Sequence, residues 1–133
     1  MVFYRLTLCC LLVVVGCKES EKPDLSKQRL QGRWELVRGL RNQRETKTLH
    51  GTYFIFSADG KMRTNLPVGP QELLPFEIVQ NTIQHQTSPP TTYRVLEFTD
   101  STLVVAFSFR GLPFELHFRR THNDTLPPSK EPL

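Results

Sequence analysis

The chain reads as an all-β domain, an eight-stranded antiparallel up-and-down barrel entered through a short N-terminal helical turn. Three observations predict it. Between Leu30 and Thr121, eight short runs rich in β-branched and aromatic residues follow one another, separated by turn chemistry. Short and long connections alternate. The long ones all fall at odd positions in the series, which in a meander collects them at a single end. Greek-key connections of a sandwich would interrupt that sorting.

The elements follow in order. Asp24–Gln31 is the one stretch that suits a helix, with Asp24 or Ser26 to cap it and Gly32 to stop it. The first run is Arg33–Arg38. Thr52–Ser57 and Lys61–Asn65 are joined through Asp59-Gly60, the strongest short hairpin signal, because both positions tolerate positive φ. Phe76–Gln80 and Thr82–Thr87 meet at Gln80-Asn81, and Thr92–Thr99 and Thr102–Phe109 meet at Asp100-Ser101. Phe114–Thr121 closes the series after Arg110-Gly111. The long connections are Gly39–Gly51, Leu66–Pro75, the segment holding Pro89-Pro90, and Gly111-Leu112-Pro113.

Several runs are apolar on both parities, so alternation alone does not fix which side chains point inward. The expected interior set is Trp34, Leu36, Phe54, Phe56, Met62, Phe76, Ile78, Val105, Phe107, Phe114, Leu116 and Phe118. A barrel of this size is either filled by such side chains or holds one small ligand.

The flanks have a different character. Residues 1–16 read as a secretory signal: Arg5 precedes the apolar run Leu6–Gly16, which is too short for a permanent span. The ending Val14-Val15-Gly16-Cys17 resembles the bacterial lipobox, in which the cysteine is lipidated and becomes the mature N-terminus. Cys9 and Cys10 would leave with the signal, so beyond Cys17 the body has no cysteine and is held by its core rather than by disulfides. Residues 17–29 form a charged, Pro-containing tether, similar at Glu19 and Glu21 to the surface-export signals of some Bacteroidetes lipoproteins. The domain proper is expected over 30–121, and 122–133, with three prolines and no periodicity, as a frayed tail.

Length and composition bound the function. A chain of 133 residues makes one domain, and 38% hydrophobic with 23% charged residues excludes a membrane bundle and a disordered polymer. The net charge of +4 is spread along the chain, with no Lys- or Arg-rich helix, so no nucleic-acid partner is expected.

The first strand opens Gly32-Arg33-Trp34. This G-x-W, after a short polar helix and before an eight-strand meander, resembles the lipocalins and their calycin relatives. Tyr53-Phe54-Ile55-Phe56 followed by Asp59-Gly60-Lys61-Met62 is similar to small bacterial lipocalin-like lipoproteins. The resemblance implies that the tryptophan packs over the barrel base under an arginine from the last strand. Arg120 shares parity with Phe114, Leu116 and Phe118 and is the candidate, with Arg119 the alternative. The long final helix of larger lipocalins is missing.

No catalytic constellation is present: no Gly-x-Ser-x-Gly elbow, no phosphate-cradling loop, no His-x-x-x-His. Neither enzyme activity nor a cofactor is expected, and no metal site, although His85 and His117 on separate strands are the one pair that could meet. Glu77, Glu97 and Glu115 read as outward charges. Binding is the supported class. The expected function is that of a lipid-anchored envelope lipoprotein, at the outer membrane, taking a small hydrophobic or amphipathic ligand. The alternative is a solid barrel that docks another envelope protein. For the ligand, Arg38, Arg41 and Arg44 are candidates at the mouth, where Lys47 and Arg110 add charge, and Phe54, Phe56, Met62, Phe76 and Phe107 are candidates for the apolar wall. Such a mouth would suit an acidic head group such as that of a fatty acid.

Overall fold

A computed structural model describes residues 25–121. The expected signal segment 1–16, Cys17, the greater part of the expected tether and the expected tail 122–133 lie outside the described residues. One helical turn, α1 (Lys27–Leu30), precedes nine strands: β1 (Gly32–Arg41), β2 (Arg44–Glu45), β3 (Tyr53–Phe56), β4 (Lys61–Thr64), β5 (Leu74–Val79), β6 (Thr82–His85), β7 (Thr91–Phe98), β8 (Thr102–Phe109) and β9 (Leu112–Arg120). β1 and β3 through β9 pair in chain order, all antiparallel, and β9 pairs back onto β1. The result is a closed eight-stranded barrel with β2 as an extra strand.

Each expected run lies on a barrel strand, with ends shifted by a few residues. The departures have local causes. β1 continues to Arg41 because Asn42 and Gln43 both take positive φ and turn the chain back into β2. No glycine marks that turn, which is why Gly39–Gly51 reads as a loop in sequence. β1 and β7 each carry a bulge, between Leu36 and Arg38 and between Val95 and Glu97. The extra residues, Val37 and Leu96, turn outward and are among the few exposed large apolar side chains. Inward spacing in β7 therefore steps by three from Val95 to Phe98.

The interior is occupied. Trp34, Phe54, Phe56, Met62, Phe76, Ile83, Tyr93, Leu103, Leu116 and Phe118 are all essentially inaccessible. Aromatic rings lie in sequence through the barrel with centroids 4.4–5.9 Å apart, from Trp34–Phe98 at the base through Phe54–Phe118 and Phe54–Tyr93 to Tyr93–Phe107. The whole expected interior set belongs to this core or packs against it.

The base is closed by α1. Ser26 Oγ accepts the Arg29 N–H and caps the turn, which drops Leu30 into the core. The Trp34 indole N–H donates to the Leu30 carbonyl at 2.9 Å. The Arg120 guanidinium lies 4.2 Å from the Trp34 ring and donates to the carbonyls of Gln31, Arg29 and Asp100. Gly32 makes this approach workable: its φ is +121°, and a Cβ there would stand 3.1 Å from Arg120 Nη1. Arg119 is exposed on the opposite parity and takes no part.

Candidate functional site

The long-loop end is not an open mouth. From the β2–β3 connection Leu49, and from the β4–β5 connection Leu66 and Val68, fold over the top and join the core. Leu66 is fixed there by its N–H on the Thr64 hydroxyl. Open space lies to one side instead, as a cleft of about 760 Å³. Pro67 and Val68, Pro89 and Pro90, and Pro113 rim it. Thr91, Thr92 and Arg94 of β7 form one wall, Ala106–Arg110 the other, and Phe107 and Phe114 reach it from the barrel interior.

The cleft exists because β7 and β8 part company. Their ladder runs from Phe98↔Leu103 up to Arg94↔Ala106 and stops. Above it, Thr91–Tyr93 stay paired only to β6, and Phe107–Phe109 only to β9. Strand alternation shows which main-chain groups this leaves facing the gap. The Val95 N–H donates to the Asn81 carbonyl, so odd-numbered residues in this part of β7 face β6 and Thr92 faces the gap. The Pro113 carbonyl accepts the Asn42 N–H, so Pro113 faces β1, and its β8 partner Ser108 faces the gap from the other side.

The rim is internally braced. The Thr87 hydroxyl, buried, donates to the Pro89 carbonyl at 2.7 Å and contacts the Thr91 hydroxyl at 2.7 Å, and Gly69 packs against its side chain. Two cations and no carboxylate line the cleft. Arg94 is exposed, and Arg110, on the β8–β9 turn, lies over the Phe109 ring at 5.0 Å.

Of the ligand-site residues expected from sequence, the cleft takes in Phe107, together with Arg110 of the charge expected at the mouth. Phe54, Phe56, Met62 and Phe76 are spent on the core, where all four are buried and do not line the cleft. Arg38, Arg41 and Arg44 stand exposed on β1 and β2 and do not line the cleft, and Arg38 pairs with Glu45 at 3.8 Å. The extra hairpin pulls these cations onto the outer wall. Arg94 is the lining cation that sequence reading missed; its parity opposite Tyr93 and Val95 marks it only as outward.

Below the cleft the interior holds two polar groups without partners among the described residues. Both ring nitrogens of His85 and the Tyr93 hydroxyl are buried and make no hydrogen bond. Burial lowers the His85 pKa from its ordinary value, with the nearby Met62 carbonyl opposing, and raises that of Tyr93. His85 points inward, whereas His117 lies on the outer face of β9, 2.8 Å from Glu115, so the two do not meet. Among the described residues no three His, Cys, Asp or Glu side chains cluster to hold a metal ion.

Comparison with protein-family models, curated proteins and solved structures returned no match to this chain.

Proposed function

We propose that this chain is a lipocalin-like recognition barrel, tethered to the bacterial envelope through lipidated Cys17, that docks another envelope protein at the cleft between β7 and β8. One observation carries the reading: the barrel is filled and its top is covered, while open, lined space sits at the split in its wall. A carrier of the usual kind holds its ligand in the barrel centre, and here aromatic rings take that volume. The cleft is lined by prolines, aromatic rings, short polar side chains and two arginines, a lining that suits binding. The tether enters at the base, which turns the cleft away from the membrane surface.

A second reading has its own support. The cleft volume is in the range of small-molecule sites, and Arg94 and Arg110 suit an acidic head group. A photo-crosslinking residue in place of Ser108, with Asp59 at the base as control, separates the two in cells that make the full chain. Protein adducts at Ser108 and none at Asp59 are expected. No adduct at Ser108, together with a small molecule retained by the purified chain in native mass spectrometry, would transfer the function to the second reading.

A further inference from the structure

We infer that the cleft takes an extended, acidic segment of its partner protein as a short added strand, resting on the docking reading above. The argument begins with the main chain. Thr92 and Ser108 each direct an N–H and a C=O into the split, where the β7–β8 ladder has ended. An apolar ligand tail has no groups to answer them, whereas the backbone of an extended peptide has both at the right repeat. Neighbouring strands keep these edges extended, since β7 is still paired to β6 and β8 to β9.

Side chains set the class of segment. A strand alternates its side chains between two faces. Those pointing inward would meet Phe107 and Phe114, and those pointing outward would meet Arg94 at the outer wall and Arg110 at the turn. The lining holds these two arginines and no acid, so outward carboxylates are matched and outward lysines repelled. Pro90, two residues before Thr92 on the gap-facing parity, offers no N–H, and β8 ends at Phe109, so the strand-pairing edge is limited to a few residues. The segment is therefore short, with alternating acidic and apolar residues.

The test uses the full chain in detergent micelles and a fluorescein-labelled ten-residue peptide alternating Glu and Val. Saturable binding is expected, weakened at least ten-fold when alternate peptide amides are N-methylated, because that removes pairing while keeping side chains. Replacing Glu by Lys in the peptide, or Arg94→Gln with Arg110→Gln in the protein, is expected to weaken binding at least ten-fold. On peptide addition the Thr92 and Ser108 amides should gain protection from hydrogen exchange. Equal binding of the N-methylated peptide in both registers overturns strand addition, and equal binding of the Lys peptide overturns the charge class. Laurate binding at the cleft with no peptide binding overturns both. If peptide binding fails while Ser108 crosslinks persist, the docking reading stands and this inference alone falls.

Discussion

The two ends of the barrel treat the chain's polar groups in opposite ways. At the base, the carbonyls left over as α1 hands the chain to β1 are collected by one guanidinium, and the indole N–H closes on Leu30. The Arg120 N–H itself donates to the Ser101 carbonyl, so the β7–β8 turn is tied into the same contact. At the long-loop end, the same two strands separate above Arg94 and Ala106 and leave main-chain groups facing a cleft. One end spends its polar groups on its own stability. The other leaves them available to something else, and local stability is commonly lowest where binding occurs.

Substitutions at the base should therefore cost most. Trp34→Ala removes a fully buried indole and is expected to destabilise the domain by about 3–5 kcal/mol in urea unfolding. Arg120→Ala should cost less, and the double variant should show coupling of about 0.5–3 kcal/mol, since ring and guanidinium are in contact. Additive effects would mean that the two act independently. Gly32→Ala comes next, at about 1–3 kcal/mol, because an L side chain is strained at that φ and crowds Arg120. Its cost should shrink in an Arg120→Ala background if the crowding contributes.

The middle of the barrel supplies a pH effect. His85 is neutral in the folded interior with its pKa depressed, while the unfolded chain titrates near 6.5. Between those two values the unfolded state binds more protons, so stability rises with pH. The domain should hold its full stability above about pH 6.5 and lose part of it as pH falls toward the folded pKa. His85→Phe should flatten that part of a stability–pH curve measured by chemical unfolding. An unchanged slope in this variant would place the responsible proton elsewhere.

The contrast between the ends also explains what the sequence could tell. The base contact was readable through the resemblance carried by Gly32-Arg33-Trp34, and parity then chose Arg120, which shares a face with Phe114, Leu116 and Phe118. Strand positions were readable from pairs such as Asp59-Gly60. The cleft was not, because it depends on where a ladder ends. Thr92–Thr99 and Thr102–Phe109 look like equal partners throughout, and no residue type announces that their upper thirds diverge. Pro89-Pro90, just before β7, was the available signal, since it offers no N–H with which to extend a ladder toward β8. The displaced basic cluster has a similar cause. Asn42 and Gln43 turn without a glycine, so a strand passed for a loop and its arginines for a mouth.

The smallest stability effect expected is at the cleft, and its smallness is the point. Arg94 has an exposed side chain, and Arg110 stands on an exposed turn over one ring. Surface changes away from buried networks usually stay within about 0.5 kcal/mol, and a cation stacked on a ring at the surface contributes about 0.5–1 kcal/mol. Arg94→Gln should therefore leave urea unfolding almost unchanged, and Arg110→Gln should lower stability by no more than the stacking contribution. If these arginines serve only solubility, crosslinking at Ser108 should also be unaffected. If they orient a partner, the adducts should fall sharply in variants whose fold is as stable as before. A large loss of stability in Arg94→Gln would reverse the contrast between the ends, since it would make the cleft wall a structural element like the base.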